Sequence, residues 1–507
     1  MKIERTKNAK RNITWGVVNK VATLIIPFFC RTALIQVFGV NYVGLNSLFT
    51  SILSTLNLAE LGFGSAVVFF MYKAIAEDDE TRIRALVNYF KRVYRIIGTV
   101  VLVLGLSLMP FLDFFVNKDV PSDIDIRIIY VLTLTATVLT YFLFAYKSSL
   151  FHAFQRNDVL MKISTVVAVA ERVLQLSFIF VFKNYYLYIA SAIFAGIANN
   201  FMISYCAKRF YPQYAASGAL DKQVKNDIAQ KIKGLIFYKI GNVVSGSADT
   251  IVISSFLGLS LMGKYGNYAY VLTTLFAFLG IYYSAMRSGI GNSIATESKL
   301  KNLDDFKFLQ FVQNWMISWA TVCLLCLFQD FIEIYVGKEH QLSMGIVVCF
   351  CVYFWSWKIQ DVVHVYKEAS GLWNQDRFRP LIGAGVNLAL NLVLVQIMGL
   401  YGVILSTVAQ FVIIDLPWAS RVLFKNYFGT SSLCYYRFLA KGIVEAGTMC
   451  LVTYIVCEQI TIANPFISLL LKAFICIIIP NIVFIAANAH SKEFKKVVVR
   501  AKKILLH

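Results

Sequence analysis

The first forty residues, MKIERTKNAKRNITWGVVNKVATLIIPFFCRTALIQVFGV (1–40), decide what kind of fold this chain adopts. Five basic residues, Lys2, Arg5, Lys7, Lys10 and Arg11, precede an apolar stretch from Trp15 to Phe38 that ends at Gly39. An α-helix needs about 20 mostly apolar residues to cross the hydrocarbon of a bilayer, and this stretch supplies them. A secretory signal peptide opens in the same way, but its apolar core is only about 7–15 residues and ends at a small-residue cleavage site. The longer stretch here, which carries Pro27 and Arg31, predicts a retained first spanning helix.

The same alternation of basic gap and apolar segment runs through all 507 residues. Fourteen segments are predicted, at 14–38, 43–72, 93–116, 126–150, 161–182, 187–207, 234–257, 263–286, 309–336, 342–366, 380–398, 401–423, 442–457 and 463–487. Alternate gaps, beginning with the amino terminus and ending with the tail at 488–507, hold 33 of the 48 Lys and Arg, whereas the gaps between them hold only Lys118, Lys183 and Lys338. Lys and Arg beside a span resist translocation, so the basic gaps and both termini are expected on the cytoplasmic side of the membrane. A hydrophobic content of 58% and a mean hydropathy of +0.66 exclude an ordinary water-soluble globule. The net charge of +20 would point to nucleic acid in a soluble protein. Here it sits where anionic headgroups attract it, so the bilayer, not nucleic acid, is the expected partner.

An ungapped offset of 219 residues places Lys20 on Lys239, Gly39 on Gly258, Gly44 on Gly263, Ser65 on Ser284 and Ala66 on Ala285. The longest basic gap, 208–233, separates segments six and seven. Together these predict an all-α polytopic membrane protein of 14 transmembrane helices built as two six-helix lobes related by a parallel repeat, 1–207 and 234–424, joined by the 208–233 linker. Segments thirteen and fourteen and the basic tail fill 425–507. Several basic gaps are amphipathic. Ile83, Leu86, Val87, Phe90 and Tyr94 recur at helical spacing, as do Val224, Ile228 and Ile232, and Phe494, Val497, Ala501 and Ile504. These are expected to lie along the headgroup plane with the apolar side down.

A charge at the bilayer centre costs about 2.5–3.5 kcal/mol on insertion scales, so it is retained only where it faces protein or a wet cavity. Arg31, Glu60, Glu171, Arg172 and Asp249 are the candidates. Guanidinium presents a permanent charge and a planar fork of donors suited to phosphate oxygens, which makes Arg31 and Arg172 candidate ligands for a diphosphate. Internal ion pairing is the competing account. Lys20 and Lys239 would draw the same anion toward the inner mouth, or snorkel to the headgroups. Glu60, Glu171 and Asp249 are candidates for ion coupling or for ion pairing. Glu171 and Arg172, adjacent in sequence, point about 100° apart on a helix and are expected to find partners on other helices. Asn387 and Asn391, one turn apart in segment eleven, and the amides and hydroxyls from Asn19 to Asn57 are candidate sugar contacts, with helix–helix hydrogen bonding as the alternative for each.

The ten cysteines lie mostly inside apolar segments and are expected to serve as small hydrophobes, the CxxC of Cys323 and Cys326 included, so no metal site is predicted. No P-loop, GxGxxG, HExxH or GxSxG motif is present, and the five histidines do not cluster. No cofactor and no enzymatic activity are expected.

Arg11-Asn12-Ile13-Thr14, Asn19-Lys20, Arg31-Thr32, FGVNYVGLNSLFTSILSTLNLAELGFGSAVVFFMYKAIAEDD (38–79) and YFLFAYKSSLFHAFQRNDV (141–159) resemble bacterial oligosaccharide flippases of the polysaccharide transporter family. That family belongs to the multidrug/oligosaccharidyl-lipid/polysaccharide (MOP) exporter superfamily. The resemblance implies a MATE-like arrangement of two lobes and an undecaprenyl-diphosphate-linked oligosaccharide moved from the inner to the outer leaflet. It also implies cationic residues in the cavity, with Arg31 where a first-helix arginine is expected. A monomer is expected, with polysaccharide assembly enzymes as further partners. The rival functions are a flippase for a lipid-linked peptidoglycan precursor, a MATE-type drug/cation antiporter and, from another class, a membrane polysaccharide polymerase or ligase.

Overall fold

A computed structural model of the chain describes residues 5–57, 63–116, 118–460 and 462–505, and every regular element in them is helical. The chain divides into two compact units, Met1–Gly263 and Lys264–His507.

The first unit opens with α1 (Arg5–Leu24) and α2 (Ile26–Phe38), with Pro27 in the first turn of α2, where a missing N–H leaves no helical bond unmade. Then come α3 (Val40–Leu56), α4 (Phe63–Ala76) and α5 (Glu80–Leu108). They are followed by α6 (Ile126–Phe142), α7 (Asn157–Phe180), α8 (Tyr185–Phe210) and α9 (Lys222–Val252). α10 (Leu259–Thr296) begins in this unit and continues into the second. The second unit adds α11 (Lys299–Val336), α12 (Met344–Lys358), α13 (Asp361–Ala369) and α14 (Arg379–Met398). It ends with α15 (Leu400–Ala409), α16 (Leu416–Leu423), α17 (Leu433–Glu458), α18 (Pro465–Asn488) and α19 (Lys492–Leu505).

Among the described residues, eleven helical stretches are long and apolar enough to cross a bilayer, and the bent pair Ile126–Phe142 and Ala145–Ala153, at 49°, makes a twelfth. The shorter apolar helices Val67–Ala76 and Val243–Leu257 fall in the second and seventh predicted segments. Within lipid, apolar burial gains little from water exclusion, so close packing and interhelical hydrogen bonds hold the helices together. Leu45, Leu48 and Phe49 of α3 are fully buried in this way, and the Tyr130 hydroxyl of α6 donates to the Gly105 carbonyl of α5 at 2.9 Å.

Gly39 and Gly258 take nearly the same backbone conformation, φ 105° and ψ 167° against φ 98° and ψ 166°. This is a region open to glycine and strained for a residue with a Cβ. Each ends one helix and lets the next start at once.

Two of the amphipathic stretches depart from expectation. Ile83, Leu86, Val87, Phe90 and Tyr94 are all buried, on the front half of the uninterrupted α5. Ile228 and Ile232 are likewise buried, on the front half of α9. Their apolar sides pack on protein, not on headgroups. A helical period alone records an apolar face and not what covers it. In the tail, Phe494 and Val497 of α19 pack against the apolar cluster of α11, α17 and α18.

Candidate functional site

A cavity of about 700 Å³ lies within the first unit. Asn46 and Thr50 of α3, Thr133, Thr137 and Thr140 of α6, Ser164, Glu171, Arg172 and Gln175 of α7, and Tyr188 and Asn199 of α8 line it. The threonines at 133, 137 and 140 follow one face of α6. Each hydroxyl already donates to a backbone carbonyl a turn back, Thr133 to Ile129 at 2.8 Å, Thr137 to Thr133 at 3.1 Å and Thr140 to Thr137 at 2.7 Å. Their donors are used, so each oxygen offers the cavity a lone pair and α6 presents a row of acceptors to whatever enters.

The charge in this wall belongs to α7. Gln175, one turn beyond Glu171, donates its amide nitrogen to the Glu171 carboxylate at 3.3 Å, and its amide oxygen accepts from Arg172 at 2.5 Å. Arg172 and Glu171 also approach each other directly at 3.9 Å. The expectation of partners on other helices is thus corrected. The two heads diverge on the helix, and a neutral amide on the next turn bridges them. Both side chains keep some exposure, 25% for Arg172 and 17% for Glu171, so neither is sealed in the packing.

Arg31 stands on the adjacent helix at the same level. Its neighbour Cys30 contacts the backbone carbonyl of Arg172, and Tyr188 lies within electrostatic reach of Arg31, Arg172 and Glu171 together. An Arg31 amine donates to the Gly263 carbonyl at 3.4 Å. Glu171 and Arg172 thus line the hydroxyl-rich chamber, while Arg31 lies on the neighbouring helix outside its lining.

Other predicted residues fall elsewhere. Lys20 is exposed on α1. Asp249 is buried at 9% exposure in α9, outside the cavity lining. Glu60 and the side chain of Lys239 lie outside the described residues. Asn387 and Asn391 are fully buried in the second unit. Asn391 donates to Asn387 at 3.2 Å and accepts from Ser406 at 2.6 Å, while Asn387 donates to Thr407 at 2.9 Å. Here they fasten α14 to α15. Among the early polar residues, Asn46 and Thr50 do line the cavity, whereas Asn19 donates to Thr165 at 3.0 Å across α1 and α7. The α6 threonines, Gln175 and Asn199 were not singled out in the sequence. The i, i+4, i+7 spacing of the threonines was the available signal.

A second concentration of charge is sealed in the second unit. Asp376 accepts from Lys367 and, at 2.9 Å, from Arg379. Arg379 also reaches Asp415, which accepts from Gln410 at 2.9 Å. Lys358 pairs with Asp361 at 2.9 Å, its ammonium 4.8 Å from the Phe276 ring centre. Every charge in this group has a partner, which suits a structural tie better than a binding site.

A protein-family model described as polysaccharide biosynthesis protein matches residues 9–287, more than half of the chain. The chain belongs to the polysaccharide biosynthesis protein family. Its fold is that of the MOP superfamily of membrane transporters. A structure of the lipid II flippase MurJ in an inward closed conformation superposes with a TM-score of 0.65 at 16% identity, covering 94% of this chain and 98% of that one. An inward-facing multidrug resistance MATE family transporter of the MOP superfamily gives 0.57 at 12% identity, covering 80% and 94%. A variant of the Vibrio cholerae MATE transporter VcmN gives 0.55 at 14% identity, covering 84% and 99%. No curated protein matches the sequence. This member of the polysaccharide biosynthesis family is therefore a multi-pass membrane protein whose first unit holds a polar cavity.

Proposed function

We propose that the protein is a flippase for polyprenyl-diphosphate-linked oligosaccharides, moving them from the inner to the outer leaflet of the cytoplasmic membrane for surface polysaccharide assembly. The chain crosses the membrane fourteen times in two six-helix lobes, with both termini and the basic gaps in the cytoplasm. The observation that carries this reading is the chamber in the first unit, where hydroxyls and amides suited to a sugar meet Arg172, with Arg31 on the neighbouring helix. The sugar crosses within the chamber, the diphosphate replaces Gln175 and Glu171 on Arg172 and the Gly263 carbonyl on Arg31, and the polyprenyl tail stays in lipid. The lobes then rock to open the other side. A drug/cation antiporter is disfavoured by the guanidiniums, and a polymerase or ligase by the absence of a long outer loop to hold catalytic groups.

The test is complementation of a strain lacking its repeat-unit flippase. Arg31→Ala and Arg172→Ala are expected to lower surface polymer at least tenfold, with Arg31→Lys and Arg172→Lys retaining part of it. Normal polymer from both alanine variants at normal membrane levels would refute the diphosphate clamp. The fold likeness to the lipid II flippase makes a peptidoglycan precursor the second reading. Rescue of a strain depleted of that activity, without rescue of the first, would favour it.

A further inference from the structure

In the second unit α11, α17 and α18 bring together cysteines from distant parts of the sequence. Cys326, Cys457 and Cys476 are buried, and their three sulfur atoms all lie within 4.8 Å of one another. The Cys476 thiol also contacts that of Cys323, one turn before Cys326 on α11. The frame around them is braced. The Trp319 indole N–H donates to the Cys476 carbonyl at 2.7 Å. One turn from Cys326 and Cys476, Asp330 of α11 accepts from Ser468 at 2.7 Å and pairs with Lys472 at 2.9 Å, both on α18. Phe311, Val322, Met449 and Phe484 complete an apolar shell.

We propose that Cys326, Cys457 and Cys476 form a three-thiolate site for a soft divalent d10 metal ion of the zinc and cadmium class. Thiolates prefer soft ions, and a zinc–sulfur bond of about 2.3 Å sets sulfurs in a trigonal or tetrahedral set roughly 4 Å apart. The observed triangle needs less than about 1 Å of side-chain adjustment to reach that spacing. Binding forms three metal–sulfur bonds and breaks three S–H bonds, and the three protons leave to solvent. A divalent ion leaves the complex with one negative charge and a monovalent ion leaves it with two, so an apolar shell favours the divalent ion. Lys472 lies within electrostatic reach of Cys457, with its partner Asp330 opposing it there. The occupied site staples the α17–α18 hairpin to α11. Three cysteines acting only as small hydrophobes would bind nothing.

The experiment is a Cd(II) titration of the full-length, reduced protein in detergent, following sulfur-to-metal charge-transfer absorption and proton release. One ion per chain and three protons are expected, with a rise in the unfolding temperature. Cys457→Ser and Cys476→Ser should each weaken binding at least tenfold, whereas Cys434→Ser, at an exposed position, should change nothing. Should a serine variant fail to elute as a folded species, protection of Cys457 from alkylation by Zn(II) in the unsubstituted chain decides the question. No charge-transfer band in the folded protein, a band that survives in both serine variants, or no protection would overturn the site.

Discussion

Gly44 and Gly263 meet reciprocally in the first unit: a Cβ on Gly44 would stand 2.2 Å from the Leu259 carbonyl oxygen, and one on Gly263 would stand 2.3 Å from that of Val40. Val40 and Leu259, like Gly44 and Gly263, are 219 residues apart, so the contact is reciprocal in the same offset that matches the two halves of the sequence. The obstructing atoms are backbone and cannot rotate away. Gly44→Ala and Gly263→Ala are each expected to destabilise the protein by about 1–3 kcal/mol, the usual cost of overpacking. Gly246→Ala is the control, because nothing lies within 4 Å of its added carbon. Thermal unfolding in detergent should show both crossing variants lowered and the control unchanged or raised. Equal stability for all three would mean that α3 and α10 do not keep this contact in solution.

The sealed ionic group makes a second prediction. Asp376 is 1% exposed and is shared by Lys367 and Arg379. Asp376→Asn leaves two buried cations with Asp415 as their nearby carboxylate, a change expected to cost about 3–5 kcal/mol. Adding Lys367→Met removes the excess charge and should recover much of the loss, a non-additivity that a double-mutant cycle on unfolding temperature or folded yield would reveal. Additive losses would show that Lys367 and Asp376 do not share an energetic pair.

The helical segments were legible because lipid demands long apolar runs, and the turns at Gly39 and Gly258 because their positive φ favours glycine. Arg31 and Arg172 stood out because charge is expensive in hydrocarbon; Arg172 lines the cavity, and Arg31 lies on the next helix against the Gly263 carbonyl. Less was legible where identity depends on what faces what. Gln175 looks like any helix amide until it is seen bridging Glu171 and Arg172. Asn387 and Asn391 carry the same chemistry as a sugar-binding pair, yet in the structure they meet Ser406 and Thr407. The face of α5 has the period of an interfacial helix, and only the tertiary packing shows that protein covers it. The gathering of Cys326, Cys457 and Cys476 likewise depends on three helices meeting.

His340 lies in the turn between α11 and α12, outside the spanning helices. Burial, with a smaller contribution from Lys264, holds its imidazole below the ordinary histidine value, while Glu339 opposes them. Its folded form therefore binds protons less readily than the unfolded chain. The stability it contributes is complete above the unfolded pKa of about 6.5 and is lost as pH falls through that value toward the lower folded one. Unfolding temperature should drop as pH falls from about 7.5 to about 5.5, and His340→Gln should flatten that slope. An unchanged slope would assign the acid sensitivity to other groups.

Thr137 and Asn391 separate cavity chemistry from packing. The Thr137 hydroxyl spends its proton on its own helix and shows its acceptor to the chamber. Thr137→Val therefore keeps the shape of the wall and leaves stability nearly unchanged. It removes one hydrogen bond to a passing sugar, about 0.5–1.5 kcal/mol, so transport per folded molecule should fall several-fold. Asn391→Leu should do the reverse. It strips two buried partners from Asn387 and Ser406, which costs about 1–3 kcal/mol in stability, while each molecule that folds transports normally. Surface polymer normalised to membrane protein level, read beside unfolding temperature, distinguishes the two. If Asn391→Leu lowers transport without lowering stability, the α14–α15 amide pair belongs to the transport path, and the chamber in the first unit is only part of the route.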